Sequence, residues 1–175
     1  MLLATKHGWR ERGFGGEARC VEAWAEALPF ADNVLDGVVS HRAPHQFANV
    51  DVFADEARRV LKRRGVLAIA DQSPPDGYES WHDDLERMRD PTHEHARSPH
   101  EWHDVLTRAG FSVTATDVVY QDHDVAEWFD RVACPPERRE QALEMLRTIP
   151  DEIAEVYAFD GVRMRTPQCV MVATL

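Results

Sequence analysis

Residues 26–40 read EALPFADNVLDGVVS. The Leu28-Pro29-Phe30 turn and the polar Ala31-Asp32-Asn33 step form a connector, because Pro and Asn favour turn conformations. LDGVVS (35–40) then reads as a short, buried strand. A connector feeding such a strand is one unit of an alternating β/α chain, so the neighbouring segments decide whether a parallel sheet is built.

They favour one. DVFADEARRVLK (51–62) is predicted as an amphipathic helix, with Phe53, Ala57, Val60 and Leu61 on one face. GVLAIAD (65–71) is the strongest strand and is apolar on both faces, as in the centre of a parallel sheet. ESWHDDLERMRD is expected as a helix burying Trp81, Leu85 and Met88. SPHEWHDVLTRAGF carries a capping signature, with Ser98 as cap, Pro99 at the first helical position and Glu101 at the third. SVTATDVVY reads as a strand, and DVAEWFDRV and PPERREQALEMLR as helices. VRMRTPQCVMVATL closes the chain as a strand, where Pro167 suggests a bulge or an edge position. Upstream, residues 1–12 read as a helix ended by the glycines of GFGG (13–16), and ARCVEA (18–23) as a weak strand. The expectation is one α/β domain over 1–175, with helices on both faces of the sheet and an antiparallel edge pair near the C-terminus.

The chain has 175 residues, 43% hydrophobic and 29% charged, which fits a folded domain with its own core. A net charge of -11 and a pI near 5.2 oppose binding to nucleic-acid phosphates. No apolar run is long enough to span a bilayer, and the N-terminus does not read as a signal peptide. Cys20, Cys134 and Cys169 are far apart and form no zinc or disulfide spacing, which suggests reduced thiols and a cytoplasmic setting. HEHARSPHEWH gathers four histidines, but not in the H-E-x-x-H arrangement, and no metal is expected.

ALPFADNVLDGVVS, His45-Gln46-Phe47, EARRVLKRRGVLAIAD and EWHDVLTRAGFSV together resemble the class I S-adenosylmethionine (SAM)-dependent methyltransferases, in the small-molecule branch related to ubiquinone/menaquinone C-methylation. The resemblance implies a Rossmann-like sheet, SAM as cofactor and a small-molecule acceptor. It also implies that the chain corresponds to the C-terminal two-thirds of such a fold. The family's glycine-rich loop and ribose-binding acid have no counterpart in these residues, and GFGG follows a helix where the chemistry needs a strand. Weak or absent SAM binding and weak or absent activity are therefore expected, and an incomplete sheet suggests a homodimer. The alternative is a non-catalytic remnant serving as an interaction or regulatory module.

By the resemblance, Trp24 and Ala25 lie where the third family strand meets the adenine, and Ser40 and His41 end the fourth strand. These four are the cofactor-side candidates. His45 is the candidate general base, since histidine exchanges protons near neutral pH. Asp71, at the end of the fifth strand, and Trp81 are the candidates for lining the acceptor. Arg64 stands where the family turn carries a glycine, which requires it to adopt the turn's backbone angles.

Overall fold

The computed structural model describes residues 20–175. The elements of the 1–16 region predicted above, and the first two residues of ARCVEA, lie outside them. Four strands form one sheet in the order β1 (Leu35–His41), β2 (Leu61–Gln72), β4 (Arg163–Thr174), β3 (Ser112–Asp124). β1 and β2 are parallel, while β4 runs antiparallel to both of its neighbours. This is a mixed α/β, Rossmann-like sheet with an antiparallel pair at its C-terminal edge.

The connector at 28–34 is held by one ion pair on helix α1 (Val50–Val60). Glu56 accepts from the Leu28 amide at 2.8 Å, and Arg59 donates to the carbonyls of Leu28 and Phe30 and to Asp32. The Arg59 guanidinium, bonded to Glu56, lowers that carboxyl to about 2. The Asn33 and Val34 amides donate to Arg59 and Val60 carbonyls, which aligns β1 beside the end of α1. The helix stops at Val60, two residues earlier than the amphipathic pattern suggests, because Leu61 already pairs with Leu35 as the first residue of β2. The register then jumps to Gly37 opposite Val66, so residues 62–65 bulge out of the strand. Arg64 takes the left-handed backbone that this bulge needs (φ 67°). Gly65 has no room for a side chain, since a Cβ would lie 2.8 Å from the Lys62 carbonyl oxygen.

One core packs α1 and α3 (Pro99–Arg108) on the sheet through Phe53, Ala57, Trp102 and Leu106 against Leu67, Ile69 and Met171. A second gathers α2 (Glu79–Arg89), α4 (Val125–Asp130) and α5 (Pro136–Arg147) around Leu85, Trp128, Phe129 and Leu146. The capping box of α3 is present in both directions, Ser98 accepting from the Glu101 amide and Glu101 from the Ser98 amide. A seven-residue helix absent from the sequence reading, α6 (Asp151–Tyr157), buries Ile153 and Tyr157 and ends on left-handed Ala158.

Two sequence expectations are corrected. Residues 20–23 of ARCVEA are not a strand; nearby there is only an isolated bridge between Trp24 and Ala27. β1 therefore has β2 as its one partner among the described residues. Pro167 sits in β4, an interior strand, rather than on an edge strand. It is tolerated because the β2 ladder ends at Gln168, so no β2 carbonyl awaits an N–H at 167, and the Pro167 carbonyl accepts from Ser73 instead.

Candidate functional site

β1 and β2 both end at the edge where parallel sheets bind ligands, outside the carboxyl ends of their strands. Asp71 is the penultimate residue of β2 and is 1% exposed. Its carboxylate holds His45 twice: Oδ1 lies 2.7 Å from Nδ1, and Oδ2 accepts from the His45 amide at 2.7 Å. The Gln72 amide also donates to Oδ1, at 3.0 Å. A carboxylate on Nδ1 fixes the tautomer with its proton there, and leaves Nε2 as the free lone pair. His45 sits on the short 3-10 turn Pro44–Gln46 that follows β1, and its ring stacks on His93 at 5.6 Å. The two residues singled out for base and acceptor-lining roles, His45 and Asp71, are thus brought into direct contact.

They form one end of a cavity of about 190 Å³, walled further by Glu86, Arg89, His123 and Gln168. Glu86 and Arg89 pair at 2.9 Å, and the Arg89 guanidinium lies over the Trp128 ring at 4.6 Å. His123 bonds Thr166 Oγ1 through Nε2 at 2.9 Å. Burial, with repulsion from Arg131 and Arg42, lowers the His123 imidazole to about 4.

Behind His45 lies a buried chain of hydrogen bonds. Tyr157 OH meets His82 Nδ1 at 2.7 Å, and His82 Nε2 meets Gln72 Oε1 at 3.3 Å. Gln72 Nε2 faces His93 Nδ1 at 3.1 Å, and His93 Nε2 faces Asp83 Oδ1 at 2.7 Å. Asp83 Oδ2 holds His95 Nδ1 at 2.6 Å, and His95 Nε2 reaches Glu101 at 3.3 Å. From Tyr157 to Asp83 the donors align in one direction if Tyr157 donates to a neutral His82 and His93 donates to Asp83, which accepts from His95 on its other side. Burial lowers His82 to about 4, which fits that assignment. Two histidines and the Ala96 amide hold the Asp83 carboxyl well below the ordinary range against its burial, and Asp83 in turn raises His95.

Of this chain of bonds the sequence reading noted only His93 and His95, among the histidines of HEHARSPHEWH, and Glu101, as a capping residue; Gln72, His82, Asp83 and Tyr157 were not singled out. The available signal was on α2, where His82, Asp83 and Glu86 lie one to three residues from core Leu85 and so cannot all face solvent. The histidines of HEHARSPHEWH divide between this network and the surface. His93 and His95 share Asp83, while His100 makes a long ion pair with Asp104. Among the described residues no group of three or more His, Cys, Asp or Glu could hold a metal.

The cofactor-side candidates divide as well. Trp24 (79% exposed) and Ala25 line a separate open cleft of about 1040 Å³ with Glu26, Ala43, Phe47 and Ala48. Ser40 is buried at the end of β1, and His41 is exposed beside it. The cleft presents the open face of the Trp24 ring, and Glu26 on its wall accepts from the Asn49 amide at 3.3 Å. Trp81 lies away from the cavity, edge-on to Tyr157 at 4.9 Å.

A methyltransferase-domain family model matches residues 2–69. The chain is 30% identical over 148 residues to the uncharacterized methyltransferase YcgJ of Bacillus subtilis, covering 79% of this chain and 56% of that protein. These matches support a class I SAM-dependent methyltransferase. The chain is also 35% identical over 75 residues to the ubiquinone/menaquinone biosynthesis C-methyltransferase UbiE of Shewanella pealeana, covering 43% of this chain and 30% of UbiE. The crystal structure of YcgJ superposes with a TM-score of 0.90 at 22% identity, over 99% of this chain and 77% of that one, which establishes the shared fold. The sequence match spans just over half the length of YcgJ. Among the described residues no helix is long and apolar enough to cross a membrane.

Proposed function

We propose that this methyltransferase chain forms the acceptor side of a site that methylates a small molecule, with His45 as the general base. The observation that supports this reading is the His45–Asp71 pair. A fully buried carboxylate grips the backbone and Nδ1 of one residue, and Nε2 has no partner among the described residues. Such an arrangement orients an imidazole to take a proton from a group in the adjoining cavity.

SAM, when bound, supplies an electrophilic methyl group. The residues that would hold SAM are Trp24 and Ala25 on the adenine side and Ser40 and His41 at the end of β1, and His45 would receive the acceptor's proton. The 175-residue polypeptide alone is expected to hold SAM weakly. Its sequence offers no strand–glycine loop–helix unit, and each charge-assisted hydrogen bond forgone costs about 1.5–3 kcal/mol. Titration calorimetry measures this directly, and a low-micromolar Kd would overturn it. In any preparation that turns over, His45→Ala should lower the rate by about 10²–10⁴-fold at neutral pH. An unchanged rate removes His45 from the base role.

A second reading, a non-catalytic interaction module, is favoured by the sheet itself. β1 presents an unpaired edge among the described residues, and Val39 on it is 77% exposed. Such an edge recruits another strand, and a second copy of this chain is the partner that reading implies.

A further inference from the structure

We propose that Asp83 is a positioning residue for His45, acting through the irregular segment 93–96 that cradles it. The catalytic meaning of this assignment rests on the acceptor-side reading, in which His45 is the base; its structural content rests on hydrogen bonds alone.

His45 sits on a three-residue 3-10 turn, Pro44–Gln46. Such turns have poor hydrogen-bond geometry of their own, so the position of the ring depends on what surrounds it. Asp71 holds the His45 amide and Nδ1 from one side. Segment 93–96 holds the rest of the residue. The His45 carbonyl accepts from the Glu94 amide at 3.0 Å and from the His95 amide at 3.1 Å. The His93 ring lies along the His45 ring, only 23° from parallel. The next residue of the turn is tied to the same stretch, Gln46 Nε2 donating to Thr92 Oγ1 at 3.2 Å.

Segment 93–96 belongs to no strand or helix. Its buried polar groups therefore need side chains as partners. Asp83 supplies them. His93 Nε2 lies 2.7 Å from Oδ1, the Ala96 amide donates to the same oxygen at 2.8 Å, and His95 Nδ1 lies 2.6 Å from Oδ2. Arg87, one turn further along α2, donates to the Glu94 carbonyl. The opposite edge of the His93 ring is fixed by Gln72 at 3.1 Å, so the ring that faces His45 is held through both nitrogens.

Stability alone does not call for this design. Apolar residues of similar volume often stabilise an interior as well as a buried charged pair does. A carboxylate offers direction instead, because donors from separate residues must meet it at fixed points. Directional control of the segment behind a base matters because a misplacement of about 1 Å at the reacting atoms costs about 100-fold in rate.

His45 itself is the readout, in the 175-residue chain with no SAM present. Ring-¹⁵N-labelled histidine spectra, recorded at a pH where the imidazole is neutral, separate an Nδ1–H ring held on Asp71 from the mixed tautomers of a free one. The parent should show the single Nδ1–H form. Asp83→Asn puts an amide NH₂ where one carboxylate oxygen stood, and should turn that form into a mixture while circular dichroism remains that of the folded chain. Asp104→Asn, which removes an exposed carboxylate from α3, should leave His45 unchanged. His95→Leu removes one of the donors to Asp83 at a half-buried position and should act in the same direction as Asp83→Asn, by less. Should Asp83→Asn fail to fold, His95→Leu decides by the same criterion. A parent already in mixed tautomers, or a folded variant with the parent's His45 spectrum and only a lower melting point, would overturn the proposal. In a preparation that turns over, Asp83→Asn should lose about 10–100-fold in rate. The base role fails separately: a tautomer that depends on Asp83 beside an unchanged rate, or in an inactive parent, refutes His45 as base and leaves the positioning standing.

Discussion

Asp83 and Trp24 are 4% and 79% exposed, and they typify two regions built in opposite ways. Around Asp83, each polar group is spoken for: a carboxylate takes two imidazoles and an amide, and the chain of bonds runs on through Gln72 and His82 to Tyr157. Around Trp24 and β1, an indole, a strand edge and the side chain of Val39 are left to solvent among the described residues. The first region is complete within this chain, since removing any member orphans its neighbours. The second has its energetic value ahead of it, in whatever comes to cover it. Stability should therefore reside on the histidine side and association on the β1 side.

The sharpest way to break that contrast is Asp83→Ala. It would leave the His93 N–H, His95 Nδ1 and the Ala96 amide without their acceptor. Each buried donor left unpaired costs about 1–3 kcal/mol, and two of these are buried, so the variant should be strongly destabilised in urea melts at neutral pH. Trp24→Ala, by contrast, should fall within about 0.5 kcal/mol of the parent. Similar losses for the two would show that the network is not where stability lies.

Next in size is a pH effect. His82 is held at about 4 in the fold against 6.5 when free, chiefly by burial, with Glu86 and Asp83 favouring its charge and His93 and His45 opposing it. As pH falls, the unfolded chain takes up the proton first. The stability His82 contributes is therefore present above its unfolded pKa and lost as pH drops towards 4. The 2.5-unit gap is worth about 3 kcal/mol. His123, also held at about 4, acts in the same direction. The raised His95 acts the other way, adding stability below its unfolded pKa, while Asp83 stays ionised over this range and does not alter the slope. Urea melts from neutral pH down to about pH 4.5 should show a net fall, and His82→Gln should flatten much of it. A flat profile for the parent would mean that His82 is already open to water.

A milder cut at the far end of the same chain is Tyr157→Phe. It removes one hydroxyl and leaves His82 Nδ1 with no donor, for a cost of about 1–3 kcal/mol. Because the ring packing against Trp81 is retained, the loss reports the hydrogen bond and not a cavity. Melting of the variant at the parent temperature would detach Tyr157 from the network.

What could be read in advance follows the range of the interaction. The α3 capping box spans three residues and was fully legible. So were β1 and β2 as strands, whose apolar runs are local, although β1 read as buried and leaves Val39 exposed; His45 and Asp71 were placed separately at strand ends, and their contact appears only in the fold. The His82–Tyr157 bond joins residues 75 apart, and nothing near either residue announces the other. α6 is seven residues long and owes its helix to burial of Ile153 and Tyr157 more than to its own pattern. β3 runs on past Tyr120 through polar Gln121-Asp122-His123-Asp124, a stretch that reads as loop until the antiparallel register of β4 is known. ARCVEA failed in the opposite way: it read as a weak strand, but a strand needs a neighbour, and the described residues 20–23 have none in the sheet.

The smallest expected change in stability belongs to the most consequential surface. Val39 projects from β1 into solvent, on the sheet face that also carries half-buried Ala68 and Val172 and exposed Val66. Val39→Lys should alter the folding free energy by no more than about 0.5 kcal/mol, since the side chain has little packing to lose. Its effect should appear in association. If two copies pair through β1, the parent will run as a dimer in size-exclusion chromatography with light scattering. A lysine on an edge strand is what monomeric sheets use to prevent such pairing, so the variant should shift towards monomer at equal concentration. The shift must come without loss of the far-ultraviolet circular dichroism, which separates blocked pairing from unfolding. A parent that stays monomeric over a wide concentration range would remove the dimer and, with it, the main support for the interaction-module reading. The β1 edge would then have to be satisfied within one polypeptide, and the contrast between the two regions would become one between two parts of the same closed unit.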